Sequence, residues 1–272
     1  MASQSKYLHG YTSREQQRLY EQARMVENII FNTIDYSETD QLLEIGCGVG
    51  AMSEILLRRF PHLTLTGIDY QTEQVDQASS FLKNVPYATD RYTIRQMDAM
   101  DMDFESSTFD AAFICWVLEH VSDPLRVLTE ARRVLKPGSQ VVITEVLNST
   151  FFVEPYSPNV LQYWMRFNDF QYDHGGDPFV GAKLGNLLQA AGYNRIETTI
   201  KTFHLDNRNP AKRASMIRFW TDLLMSGLPQ LTEAGYVSEE IAEQVNTEMR
   251  TVAKSPSAVF YYSFVQAKAY TT

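Results

Sequence analysis

Leu42-Leu43-Glu44-Ile45-Gly46-Cys47-Gly48-Val49-Gly50-Ala51 is the stretch that decides how this chain folds. Apolar residues lead into glycines at every second position, and a helical pattern, Met52 to Phe60, follows. That order reads as strand, tight turn, helix, the start of an α/β fold. Glycine lets the turn adopt positive φ and lets a ligand approach the backbone closely. The helix behind it offers unpaired N–H groups to an electron-rich ligand. Gly46-x-Gly48-x-x-Ala51 fits a dinucleotide fingerprint, but Glu44 argues against a diphosphate. It sits near the carboxyl end of a strand that should be buried on both faces, where a charge is unfavourable. A βα turn with no ligand is the plain alternative, although three alternating glycines weaken a turn unless something must come close.

Glu44 to Gly50, as Glu-x-Gly-x-Gly-x-Gly, closely resembles motif I of the class I S-adenosylmethionine-dependent methyltransferases. An acid there would welcome a ligand carrying an amino group and a sulfonium. The resemblance implies S-adenosylmethionine as cofactor, S-adenosylhomocysteine as product, and a seat formed by Glu44, Gly46, Cys47 and Gly48. It also implies a doubly wound, seven-stranded, mostly parallel sheet of Rossmann-like type, with one antiparallel strand and helical insertions.

Downstream residues fit that frame. Leu63 to Asp69 is a second strand ending in an acid, 19 residues past Gly50. A carboxylate at about this distance can grip a ribose diol, and Tyr70 beside it could lie along the adenine; a helix cap or turn acid is the alternative. Thr72 to Lys83 reads as a helix and Tyr92 to Gln96 as a third strand. The resemblance implies that Asp98 with Ala99 meets the adenine amino group, although Asp101 and Asp103 nearby also allow a solvated acidic loop. Phe109 to Cys115 is a continuous apolar run, as a central parallel strand should be. Trp116-Val117-Leu118-Glu119-His120 stands at its carboxyl end, where open α/β sheets place ligands. The Val-Leu-Glu-His run resembles methyltransferases related to the quinone C-methylating enzymes. That implies Cys115 and Trp116 beside the methionine part of the cofactor. His120 is a general base if a substrate proton lies within reach, and otherwise a structural residue at a helix entry. Ser122-Asp123-Pro124 starts a helix, Lys136-Pro137-Gly138-Ser139 is a turn, and Gln140 to Val146 is a fifth strand. The resemblance spans residues 42 to 146.

Outside that span the readings are more open. Tyr7-Leu8-His9-Gly10-Tyr11 is either an ordinary arm or a lid, with Tyr7 and Tyr11 over the cofactor and the Tyr11 hydroxyl near the transferring methyl. Ser13-Arg14-Glu15-Gln16 is a capping box opening a helix with Leu19, Ala23, Val26 and Ile30 on its apolar face. Phe151 to Pro158 reads as a loop, Asn159 to Tyr172 as a helix rich in aromatics, and Gly181 to Ala191 as another helix. These aromatics serve either a core or a substrate wall. As a wall, Trp116, Glu145, Asn148, Tyr156, Trp164, Asn168 and Gln171 would suit a small polar or cationic molecule, with His174 a second candidate base. Arg195 to His204 and Ala258 to Ala267 look like a closing antiparallel pair. The insertion at 209–254, with helix starts at Asn209-Pro210 and Ser238, would build a pocket wall or a homodimer contact.

The 272 residues suit a single domain: lid and helix at 1–35, cofactor core at 36–146, substrate-side insertion at 147–192, helical insertion at 209–254. A formal net charge of −9 argues against a nucleic-acid backbone as partner. Two cysteines make no disulfide framework and suit a cytoplasmic location. No metal-ligand spacing, signal peptide or membrane span is visible. Two further blocks, Tyr7-x-His9-Gly10-Tyr11 and the segment from Glu154-Pro155 to Asp177-Pro178, resemble domains that methylate amino-acid-derived thiol-imidazoles, as in ovothiol formation. They point to nitrogen as the accepting atom. The alternatives are O- or C-methylation of a quinone or natural product with a histidine base, a non-catalytic cofactor-binding protein, and a nicotinamide oxidoreductase.

Overall fold

The computed structural model describes residues 13–272. Helix α1 (Ser13–Phe31) precedes five parallel strands, β1 (Gln41–Ile45), β2 (Thr64–Asp69), β3 (Tyr92–Gln96), β4 (Phe109–Cys115) and β5 (Leu135–Val146). Helices α2 (Ala51–Arg59), α3 (Thr72–Lys83) and α4 (Pro124–Val134) lie between them. Then come β6 (Phe152–Glu154), α5 (Pro158–Asp173), α6 (Leu184–Ala190) and β7 (Asn194–Leu205). Three helices, α7 (Pro210–Ser226), α8 (Leu228–Glu233) and α9 (Glu239–Lys254), separate these from β8 (Val259–Tyr270).

The sheet runs β3-β2-β1-β4-β5-β8, with β8 antiparallel to β5 and to both other partners. β7 pairs along residues 260–270 of β8, while β5 and β6 meet it at 264–270 and 259–261. β5 and β6 therefore lie end to end on one edge of β8. This is the doubly wound, mostly parallel sheet expected. It has an eighth strand among the described residues, because three residues of the expected loop after β5 add to the β8 edge.

Strand burial follows from the alternation of side chains across a pleat. Leu42 and Phe113 join the core beneath α1 and α2, while Leu43, Ile45, Ala112 and Ile114 join the core beneath α4. Both faces of β1 and β4 are covered, so their sequences are mostly apolar, with Gln41 and Asp110 at the entry ends and Glu44 the buried exception. Helix starts follow local chemistry. Asp123 accepts from the Arg126 N–H, Asn209 from the Lys212 N–H and Ser238 from the Ile241 N–H. Each cap side chain satisfies an N–H that the first turn leaves unpaired. The insertion before β8 holds three helices where two starts were read; α8 follows Gly227 without a side-chain cap. No helix among the described residues is long and apolar enough to cross a membrane.

Candidate active site

The carboxyl ends of β1, β2 and β4 meet at the glycine turn. Gly46 and Cys47 both donate to the Ile68 carbonyl, at 2.8 and 2.9 Å, so the turn is tied to β2. Asp69 closes it from below. Its Oδ2 accepts from the Gly48 N–H at 2.9 Å and its Oδ1 from the Gln71 N–H at 3.0 Å. The Tyr20 hydroxyl of α1 donates to the Val49 carbonyl at 2.9 Å, fixing the helix over the turn. Burial raises the Asp69 carboxyl above its ordinary value. The backbone N–H bonds and the His120 imidazole oppose that rise.

One cavity of ≈350 Å³ extends from this turn into the space enclosed by α1, α5, α7 and β8, a volume suited to a cofactor or small molecule. Gly46, Cys47, Gly48, Asp69, Tyr70, Asp98, Ala99, Cys115, Trp116 and His120 all line it. The Cys47 thiol is buried and Cys115 is half-buried, and each is pushed well above the usual range by desolvation and nearby carboxylates. They serve as apolar wall. At the other end Trp164, Phe167, Phe203, Phe219, Trp220 and Tyr262 form an aromatic chamber.

Not every expected residue reaches the cavity. Glu44 is buried behind the turn and takes a 2.5 Å hydrogen bond from the Ser53 hydroxyl of α2. It is not among the lining residues. Glu145 is also fully buried, its Oε1 accepting from the Val117 and Leu118 N–H groups. Asn148 lines the chamber, but its amide donates to Asn168 (2.9 Å) and its oxygen accepts from the Tyr262 hydroxyl (2.8 Å). Asn168 is thereby a buried support rather than a wall residue. Gln171 donates to the Glu119 carboxylate at 2.9 Å. Tyr156 is 68 % exposed and stands away from the cavity. His174, expected as a base, donates Nδ1–H to the Phe170 carbonyl at 2.8 Å and stacks on the Phe170 ring, outside the lining. Tyr7 and Tyr11, the expected lid residues, lie outside the described residues.

Of the lining residues that escaped the sequence reading, three have buried polar side chains. Gln74 occupies the buried stripe of α3 with Ala78 and Leu82, and a glutamine at that spacing is the signal. Arg18, with Glu15, is a charged pair on the buried stripe of α1, joined by bonds of 2.8 and 2.5 Å. Glu119 faces His120, with Oε1 and Nε2 3.6 Å apart.

Burial carries Glu44 from an ordinary 4.5 to about 8; Ser53 pulls it down and Asp69 pushes it further up. The folded state thus keeps a proton that the unfolded chain releases. The stability this group contributes is complete below about pH 4 and is lost as the pH rises toward 8. Glu44→Gln removes that loss, so the variant's melting temperature relative to the parent should rise between pH 5 and pH 8. Thermal melts at the two values check this, and a constant difference would contradict it.

The residues present fit S-adenosylmethionine. The buried Trp116 Nε1 and Gln74 Oε1, both on the cavity, have no hydrogen-bond partner among the described residues, and buried polar atoms normally find one. A Cβ added at Gly48 would meet nothing within 4 Å among the described residues, which leaves room there for a ligand. Asp69 would hold the ribose, Tyr70, Asp98 and Ala99 the adenine, and the glycine turn with Trp116 the methionine tail. When bound, the cofactor supplies a methyl group already activated on a sulfonium. The chain's part is then to align an acceptor and exclude water.

Comparisons agree with this geometry. A family model described as "Methyltransferase domain" matches residues 43–143. The demethylmenaquinone methyltransferase of Thermotoga maritima is 29 % identical over 164 residues, 60 % of this chain and 63 % of that protein. The O-methyltransferase cnsE of Penicillium expansum is 30 % identical over 165 residues, 60 % of this chain and 55 % of that protein. The chain thus spans between half and two thirds of the length of these curated relatives. A solved structure of Haemonchus contortus phosphoethanolamine N-methyltransferase 2 with S-adenosyl-L-methionine superposes with a TM-score of 0.53 at 18 % identity, covering 92 % of this chain and 52 % of that one. That is a likeness of fold. With motif I at the turn, the sheet order and the matched span taken together, residues 43–143 form the core of a class I S-adenosylmethionine-dependent methyltransferase domain.

Proposed function

We propose that this protein transfers a methyl group from S-adenosylmethionine to a small molecule seated in the aromatic chamber, with a nitrogen of an amino-acid-derived or thiol-imidazole metabolite as acceptor. What carries the reading is a single cavity that joins the Asp69–glycine end to walls of Trp164, Phe167, Trp220 and Tyr262. Flat heteroaromatic rings stack on such walls, and an amine in its cationic form is drawn to their faces. Methylation of a nitrogen needs that atom deprotonated and aligned, and no strong base.

A second reading, O- or C-methylation of an apolar quinone or natural product, is favoured by one observation. Asn148, Asn168 and Tyr262 spend their polar groups on one another, which leaves the chamber largely apolar. Base dependence separates the two. Among the described residues His120 is the histidine on the cavity, so His120→Ala should lower kcat less than about tenfold for a nitrogen acceptor. For an acidic O–H or C–H acceptor it should lower kcat by about a hundredfold or more. His174→Ala should leave kcat unchanged in either case. Transfer of radioactive methyl to amines, thiol-imidazoles, phenols and quinols, with each variant, measures this. If no acceptor from any class is methylated while the cofactor still binds, the catalytic reading fails and a non-catalytic cofactor-binding protein remains.

A further inference from the structure

Trp116 closes β4 with φ at +56°. A bulky side chain seldom takes this conformation, and such strain persists only where the surroundings impose it. Its N–H donates to the Thr144 carbonyl at 2.9 Å, which ends the pairing with β5. A side chain takes over from the backbone at that point. Glu145 Oε1 accepts from two consecutive peptide groups, Val117 N–H at 2.9 Å and Leu118 N–H at 2.8 Å. Val117 in turn packs so closely on Gly46 that a Cβ there would come within 2.3 Å of its Cγ2. One buried oxygen thus links the end of β5, the strained turn after β4 and the cofactor loop after β1.

Glu145 is 0 % exposed, and its other oxygen, Oε2, has no hydrogen-bond partner among the described residues. A carboxyl group in such a place is unfavourable unless its acceptor is needed. The pairing of β5 with β8 does not need it, since that ladder is made by backbone groups.

We propose that Glu145 is a positioning residue. By holding the Val117 and Leu118 N–H groups it keeps Trp116 in its left-handed conformation on the cavity wall, and so sets affinity for the cofactor. This rests on the cofactor assignment above. Glu145 touches no reacting atom and acts through the backbone of its neighbours. Burial and the neighbouring Glu119 carry its carboxyl up to about 8. At neutral pH it is therefore a protonated acid that accepts through its carbonyl oxygen. Glutamine reproduces that oxygen and its neutrality, whereas leucine removes the acceptor and strands two N–H groups.

The test uses the full chain labelled with 5-fluorotryptophan, whose three tryptophans give three fluorine resonances; Trp116→Phe assigns one of them. In Glu145→Gln the Trp116 resonance should stay in place, and S-adenosylhomocysteine should bind within about twofold of the parent. In Glu145→Leu that resonance should move while those of Trp164 and Trp220 do not, and binding should weaken by about tenfold or more, the effect of unpaired buried donors. Glu145→Leu with a parental Trp116 resonance and affinity would overturn the proposal. So would Glu145→Gln losing affinity as far as leucine does. Should Glu145→Leu not fold, the glutamine variant decides alone: parental resonance and affinity support the proposal, and their loss overturns it. Should the parent itself bind no S-adenosylhomocysteine, the cofactor assignment fails, while the Trp116 resonance in the two variants still decides whether Glu145 holds the turn.

Discussion

Asp69→Ala should weaken S-adenosylhomocysteine binding by about a hundredfold or more and leave the sheet intact. The carboxylate fastens the glycine turn through Gly48 and its own helix entry through Gln71. It also lines the cavity, where its remaining lone pairs can meet a diol. Each hydrogen bond to a charged group contributes about 1.5–3 kcal/mol, so losing two gives at least that hundredfold. Stability should change little. The alanine gives up two backbone bonds but also removes a carboxyl group whose burial is unfavourable, as its raised pKa records. Asp69→Asn keeps the shape and one acceptor, and should weaken binding by about tenfold. Titration calorimetry with thermal melts on the same samples checks both. Parental affinity in Asp69→Ala would remove this residue from the site.

The two glycines of the turn should fail in opposite ways. At Gly46 φ is +75°, and an added Cβ would lie 2.3 Å from Val117 Cγ2 and 3.3 Å from Val117 Cβ and Cγ1. Valine is stiff about χ1, and Glu145 holds its backbone, so it has little room to give way. Gly46→Ala therefore combines about 1–2 kcal/mol for left-handed backbone with about 1–3 kcal/mol of overpacking. That is a large part of the roughly 5–15 kcal/mol that holds a domain folded. At Gly48 φ is +51° and a Cβ would meet nothing within 4 Å among the described residues. Gly48→Ala should lose only about 1–2 kcal/mol of stability, yet place a methyl group where the ligand must approach. Melts should show the larger drop for Gly46→Ala. Titrations on the folded fraction should show at least a tenfold loss for Gly48→Ala. The reverse pattern would mean that Gly48 faces away from the ligand.

The cofactor half was legible because its signals are local. Glycines that need positive φ, acids at strand ends and apolar runs for strands covered on both faces are written within a few consecutive residues. Caps at Asp123, Asn209 and Ser238 are local in the same way. The substrate half was not, because polar residues choose partners far along the chain. Asn168 and Gln171 sit at the spacing of a pocket wall, but they bond to Asn148 and Glu119, 20 and 52 residues away. Position alone could not show that these amides support the wall from behind. β6 was missed for a related reason: three residues become a strand only because β8 offers them an edge. Glu44 teaches the same lesson at the centre of the site. Its place at the end of β1 was evident, but Ser53, from the following helix, sets the direction of its carboxyl group.

Glu44 would then act on the ligand through the turn rather than by direct contact. Calorimetric titration of the purified chain with S-adenosylhomocysteine, and separately with NAD, tests the central assignment most directly. The account predicts one S-adenosylhomocysteine per chain, bound more weakly by about a hundredfold or more in Asp69→Ala, and no heat with NAD. Saturable binding of NAD with none of S-adenosylhomocysteine would contradict it.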